Sequence, residues 1–289
     1  MITDILITGA TGNIGLEVIR QFDDTPRLRA GVRNPDKARS ILGDEIDIVA
    51  FDFEKPETYA GALAGIRHIF LVRPPAISDV QTHIAPFIAA AQTAGVEHVV
   101  FLSLMGVENN RIVPHYKIEK LLQACGMTWT FLRASFFMEN LTTTHRDEIR
   151  DEDMIYVPAG SGKTSFIDGR DIAAIAVKTL SEDGHANQAY TLTGAEALDY
   201  DEVAAILSEV LGRKITYARP GILGFARYQR KRGIAWAYII VMIGLYSTAR
   251  FGMAKGITPE LADLLGRPPR TVREFIEDHR DVWLRAQTN

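Results

Sequence analysis

Residues 8–15 read Thr8-Gly9-Ala10-Thr11-Gly12-Asn13-Ile14-Gly15, and what flanks them decides the fold. The residues before, Asp4–Thr8, are apolar and β-branched, the composition of a short buried strand. The residues after place Ile14, Val18 and Phe22 on one face of a helix. Between them, glycines recur at 9, 12 and 15. Gly9 suits a tight turn off the strand, Gly12 a close approach of backbone to ligand, and Gly15 close packing of helix on sheet. The free N–H groups and positive dipole at the helix start would hold phosphates. A strand, a glycine turn and a helix that open a βαβ unit point to a dinucleotide. The candidate contacts are Gly9, Thr11, Gly12, Asn13, Ile14 and Gly15. The other reading is a turn that merely needs glycines.

Working outward, short apolar strands are predicted at 27–33, 46–51, 68–72, 98–103 and 128–132. Helices are predicted at 35–42, 56–63, 79–94 and 114–125, three of them opened by a proline suited to the first turn (Pro35, Pro56, Pro114). Repeated β-α-β order predicts a Rossmann-type α/β fold, a doubly wound parallel sheet covered on both faces. The pattern changes near residue 190. Beyond it, 200–211, most of 221–252, 259–265 and 271–283 read as helices. The expected organisation is a nucleotide-binding domain over 1–190 and a smaller, mainly helical substrate or lid domain over 191–289, with no sheet of its own.

The end of the second strand selects the cofactor. An NAD-preferring site carries Asp or Glu there for the ribose hydroxyls. This chain has Val32-Arg33-Asn34-Pro35 instead. Arg33 can make a bidentate contact to a 2′-phosphate, and Lys37 follows one helical turn on. NADP(H) is therefore expected, with NAD(H) possible if Arg33 is only a surface residue. Asp52 and Phe53, just past the third strand, stand where adenine should lie; Asp52 could instead cap the next helix. Val72, Arg73 and Pro74 end the fourth strand and should line the pyrophosphate and the nicotinamide ribose.

Composition sets bounds. A chain of 289 residues with 47% hydrophobic and 24% charged residues is ordinary for a globular protein that needs no disulfides. Cys125 is the only cysteine, which fits a reducing, cytoplasmic setting. The first residues, Met1-Ile2-Thr3-Asp4, carry no basic leader. Net charge is −4, and the densest basic run, Arg227, Arg230, Lys231 and Arg232, reads as a solvated helix face, so no nucleic-acid partner is expected. The segment 233–249 is uncharged but at the short edge of the roughly 17–25 residues a bilayer span needs. It reads as a helix over an apolar pocket or an interface, with no membrane partner expected and a homodimer plausible. The histidines do not pair at metal-ligand spacing, so no metal is expected. Gly160-Ser161-Gly162-Lys163-Thr164 imitates the end of a phosphate-binding loop, but Val157 stands where that pattern needs glycine.

Several ordered blocks go further. Residues 8–15 (TGATGNIG), 32–35 (VRNP), 51–59 (FDFEKPETY), 94–103 (AGVEHVVFLS), 124–140 (ACGMTWTFLRASFFMEN), 166–173 (FIDGRDIA) and 189–215 resemble the NmrA-like group of atypical short-chain dehydrogenase/reductases. The resemblance covers about residues 1–217. It implies a Rossmann domain, a small substrate domain, and either reductase chemistry or dinucleotide-dependent regulation.

The resemblance also frames the catalytic candidates. Orthodox relatives use Y-x-x-x-K, where the Lys lowers the Tyr pKa for proton donation. Tyr116 and Lys120 match literally. Counting back from Gly126, however, His115 falls in the slot of the family lysine and Arg111 in that of the tyrosine, with Glu119 completing H-x-x-x-E. Spacing places His115 and Glu119 on one helix face. His115 could donate a proton or hydrogen-bond a substrate near neutral pH, or be structural; Tyr116 is the other candidate donor. Ser103 ends the fifth strand where the family has a serine. Phe136 and Phe137 flank the nicotinamide or belong to the core. The reading is an NADPH-dependent reductase of a small apolar, quinone-, dye- or imine-like acceptor. Its alternatives are a non-catalytic redox sensor and a nucleotide-sugar epimerase.

Overall fold

Seven strands make the central sheet, all of them parallel. They are β1 (Ile5–Thr8), β2 (Leu28–Val32), β3 (Asp47–Ala50), β4 (His68–Leu71), β5 (His98–Leu104), β6 (Thr128–Ala134) and, after three short strands described below, β10 (Gln188–Leu192). Their spatial order is β10-β6-β5-β4-β1-β2-β3. The chain winds from β1 outward through β2 and β3, then returns to β4 and winds the other way, so the sheet switches direction between β1 and β4. A parallel sheet forms here because each strand is an apolar run followed by a crossover helix. The structure is a computed structural model and describes residues 4–22 and 27–285. Residues 1–3, where the leader was sought, lie outside the described residues.

Up to Ala134, six helices belong with this sheet: α1 (Asn13–Gln21), α2 (Pro35–Leu42), α3 (Tyr59–Leu63), α4 (Val80–His83), α5 (Ala85–Thr93) and α6 (Pro114–Ala124). α2 starts where sequence predicts because the Asn34 side chain accepts from the Lys37 amide and Pro35 presets the first turn. The single helix expected over 79–94 is two. Pro86 has no N–H and its ring opposes the carbonyl one turn back, so α4 ends and α5 restarts with that proline in its first turn. Between β3 and α3, Pro56–Thr58 is a 3₁₀ turn rather than α-helix. One core cluster gathers Phe51, Phe53, Tyr59 and Phe87, with ring centroids 4.7–6.0 Å apart. Each such buried ring contributes roughly 2–3 kcal/mol.

The chain divides into two compact units, and the division is discontinuous. The described residues up to Ala134 join Gly169–Leu192; Ser135–Asp168 joins the segment from Thr193 onward. Residues 135–168, read in the sequence as part of the first domain, thus cluster with the C-terminal segment. Helix α9 (Gly169–Ser181) returns to the first unit and packs on α1, before β10 closes the sheet against β6.

The second unit holds α7 (Glu139–Thr142), α8 (Arg146–Glu152), α10 (Tyr200–Leu211), α11 (Ile222–Lys231), α12 (Trp236–Arg250), α13 (Glu260–Leu265) and α14 (Val272–Asp278). It also has sheet, contrary to expectation: β7 (Phe136–Phe137), β9 (Thr164–Ile167) and β11 (Ala197–Leu198) form one, β8 (Met154–Ile155) and β12 (Thr216–Tyr217) another. Strands of two residues carry too little alternation to be read from sequence. α10 begins with a reciprocal capping box between Asp199 and Glu202 and ends at Gly212 in the left-handed region.

Candidate functional site

The carboxyl ends of β1 and β4 meet at Thr8. Its hydroxyl accepts from the Val72 amide at 2.7 Å and lies 3.2 and 3.3 Å from the carbonyl oxygens of Phe70 and Val72. This bond holds the segment after β4 against the glycine turn. A β-carbon built on Gly9 would lie 3.2 Å from Val72 Cβ, and Gly9 has φ +63°, where a side chain costs roughly 1–2 kcal/mol. The Gly12 amide donates to the Gly9 carbonyl at 2.9 Å. A β-carbon on Gly15 would stand 2.3 Å from that same oxygen, an overlap no rotation relieves. The turn is therefore packed backbone to backbone. Gly12 caps α1 without a side-chain hydrogen bond, and the first turn carries no acid, so the leading amides of α1 have no capping side chain. Thr11, Gly12 and Asn13 are exposed; Ile14 and Gly15 are buried.

Arg33 lies just past β2, exposed, and no hydrogen bond or ion pair of its side chain occurs among the described residues. Asp52, half-buried, accepts through Oδ1 from the Glu54 amide at 3.1 Å and so braces its own turn. Phe53 points into the core rather than outward; its carbonyl accepts from the Tyr59 hydroxyl at 2.7 Å. The signal was present, since Phe51 and Phe53 are two apart and share a face of an extended segment.

Arg73 folds back on its own loop. Its guanidinium donates to the carbonyls of Pro74 (2.8 Å), Pro75 (3.2 Å) and Ile77 (2.5 Å). Burial lowers it to about 10, so it stays charged. Its Nε is buried without a partner, and so is Nδ1 of His115. His115 opens α6 and stacks on Phe101, centroids 5.7 Å apart and planes at 26°. Burial, reinforced by the charge of Arg73, pushes His115 down to about 3. It is neutral at pH 7 and cannot act there as an imidazolium acid.

Glu119 is on the same helix but serves other partners. It is buried, accepts from Ser103 Oγ at 2.6 Å, and takes Nε and Nη2 of Arg133 at 3.1 and 2.8 Å. Ser103, expected to line the cofactor, has its hydroxyl committed to this carboxylate. Sequence reading passed over Arg133, although a charge inside the apolar strand Phe131-Leu132-Arg133-Ala134 needs a buried partner. Tyr116 and Lys120, the literal Y-x-x-x-K match, make a cation–π pair at 5.5 Å, and Lys120 Nζ donates to Gln123. Phe136 lies in the core of the second unit, 6.4 Å from the Tyr246 ring. Lys163 of the phosphate-loop imitation is bonded to both carboxylate oxygens of Glu202, and Thr164 starts a strand, not a helix.

The model of the NmrA-like family matches residues 1–276. The chain belongs to the NmrA-like family. Within that family's range, an NAD(P)H azoreductase of Xenophilus azovorans is 36% identical over 280 residues, covering 95% of this chain and 97% of the relative. A Citrobacter sp. triphenylmethane reductase, solved in complex with NADP(H), superposes with a TM-score of 0.84 at 26% identity, covering 95% of this chain and 99% of that one. The NADPH-dependent quinone oxidoreductase QOR2 of Escherichia coli, solved with NADPH, gives the same TM-score, identity and coverage. The NmrA-like membership and these likenesses agree with the α/β architecture and its parallel sheet.

Proposed function

We propose that this chain is an NADPH-dependent reductase that passes hydride to a small apolar acceptor of quinone, azo-dye or imine type. The observation that carries the cofactor is the pairing of a glycine turn, in which a β-carbon on Gly15 would stand 2.3 Å from the Gly9 carbonyl oxygen, with Arg33, exposed and without a partner among the described residues, in place of an acid. The names of the relatives support the acceptor class. Buried polar atoms nearly always find a partner, so the orphaned Arg73 Nε and His115 Nδ1 fit a ligand rich in hydroxyl and amide groups.

When bound, NADPH supplies the hydride; the chain supplies grip, orientation and dryness. The turn Gly9–Gly15, with Thr11, Asn13 and the leading amides of α1, would cradle the diphosphate. Arg33 would take the 2′-phosphate in a two-pronged contact. Asp52 would accept from the adenine amino group, with Phe53 contributing backbone. Val72, Arg73 and Pro74 would line the nicotinamide ribose, with Ser103 packed behind them in the first unit. His115 is assigned as a neutral hydrogen-bond donor that orients rather than protonates, leaving Tyr116 as the candidate proton donor. Quinones, cationic dyes and iminium ions accept hydride with little help from an acid. We assign nucleotide binding to the chain up to about residue 190 and acceptor binding to the remainder.

The test is NADPH consumption by the purified chain against quinones, azo dyes and triphenylmethane dyes. Turnover well above background with at least one class is expected. Tight NADPH binding with no acceptor reduced would sink the reductase reading in favour of a sensor.

A further inference from the structure

The second unit carries a surface unlike the rest of the molecule. Between Glu209 and Glu260 the chain has nine Lys or Arg and no acid, although its net charge is −4. Ten of the thirteen exposed large hydrophobic residues among those described fall between Ile222 and Ile257. α12 buries Ile239, Met242, Tyr246 and Ala249 along one face. It leaves Ile240, Val241 and Leu245 exposed on another, with Gly244 between them and no charge before Arg250. A helix apolar on both faces belongs against a second apolar medium. α11 adds Leu223, 84% exposed, with Arg227 and Arg230 one and two turns along the same face. After α12 come Phe251, 74% exposed, and Met253. Arg230 lies 5.6 Å over the Trp236 ring, at the start of α12. The exposed Arg227, Lys231, Arg250 and Lys255 form no ion pair among the described residues; Arg232 does, with Glu152.

We propose that α11, α12 and the turn after them dock on the surface of an anionic lipid bilayer. The fifteen residues of α12 are too short to span it, and no helix among those described is long and apolar enough to cross a membrane. Lying flat asks for less: an apolar face sunk at the headgroup boundary, aromatic rings such as Trp236, Tyr238 and Phe251 at that level, and cations on the rim. Unpaired cations on that rim complement anionic headgroups. The same charge argues against a second copy, because a symmetric contact would set the unpaired Arg227, Lys231, Arg250 and Lys255 of one copy against those of the other. Nucleic acid would satisfy the cations but give the aliphatic stripe nothing to pack on. The expectation of no membrane partner rested on segment length, which bears on crossing and not on surface contact. This inference does not depend on the reductase reading.

The test mixes the full chain with large unilamellar vesicles of phosphatidylcholine alone, or of phosphatidylcholine with phosphatidylglycerol, and measures co-sedimentation and tryptophan emission. Binding at least about tenfold tighter on the anionic vesicles is expected, lost in about 1 M salt where the screening length is about 3 Å. Emission should shift to the blue, and Trp236→Phe should remove the shift, since Trp283 is already buried and Trp129 is stacked on Phe131 in the first unit. Arg227→Glu with Lys231→Glu should abolish the preference for anionic vesicles without changing NADPH affinity or the melting temperature. Absence of binding to either vesicle overturns the proposal, as does equal binding to both. A dimer in solution that Ile240→Glu with Val241→Glu dissolves, from a chain that ignores vesicles, overturns it in favour of a second copy.

Discussion

The proposed preference for NADPH rests at the residue scale on Arg33, whose guanidinium has no partner among the described residues. A two-pronged, charge-assisted contact contributes roughly 1.5–3 kcal/mol, so Arg33→Asp should weaken NADPH binding about ten- to a hundredfold and NADH binding far less. Equal losses in titration calorimetry would remove Arg33 from the cofactor site. His115 makes the opposite kind of statement. Held near 3, it has no proton to lose between pH 5.5 and 8. His115→Ala should therefore lower kcat about two- to tenfold, the scale of one hydrogen bond, without altering the shape of the kcat–pH profile in that range. Disappearance of a limb near pH 6.5 would show that His115 is the acid after all. These residues also mark where sequence stops being readable. Gly9 and Gly15 were legible because a positive φ at one and a 2.3 Å overlap at the other leave glycine no easy substitute, and Gly12 completes their spacing. The partners of Ser103 and Glu119 were not, because sixteen positions separate two side chains that only the β5–α6 packing brings to 2.6 Å.

Elements were legible where they carry their own punctuation. α2 and α10 fall where predicted because Asn34 and Asp199 cap them through their side chains. The break at Pro86 was available from the same rules and was missed because the apolar period runs through it. The small sheets of the second unit were not available, since β7, β8, β11 and β12 are held by partners distant in sequence. The junction of β5, α6 and β6 yields a stability prediction. Glu119→Ala leaves Ser103 and Arg133 without their shared acceptor, a cost toward the lower end of about 3–5 kcal/mol because Arg133 also pairs with Glu108 at 3.3 Å. A melting temperature lower by about 5–10 °C is expected by calorimetry, with Glu119→Gln recovering part of it. No change would mean that the triad contributes nothing net.

For the molecule as a whole, two half-buried histidines, His98 and His115, contribute to the response to acid. Burial, then the neighbouring His68 and His185, push His98 down to about 4, and His115 sits lower still. In the unfolded chain both should titrate near 6.5. Between those values the unfolded state binds more protons, so stability is complete above about pH 6.5 and falls as pH drops toward 4. Together the two sites should cost on the order of a few kcal/mol. Urea midpoints for the parent and for His98→Gln at pH 7.5 and 4.5 would check this, and an identical fall in both would clear His98 of any part.

The path of the chain has a consequence for how the protein is made. β10 and α9, which complete the first unit, are encoded after residues 135–168, which do not belong to it. While the ribosome has delivered only the residues up to Ala134, β6 is a bare edge and α1 lacks the helix that packs on it. Open edges invite pairing with other chains. The nascent protein must therefore wait through an intervening stretch before its first unit can close, and a chain released at Ala134 should accumulate as aggregate rather than as half of an enzyme.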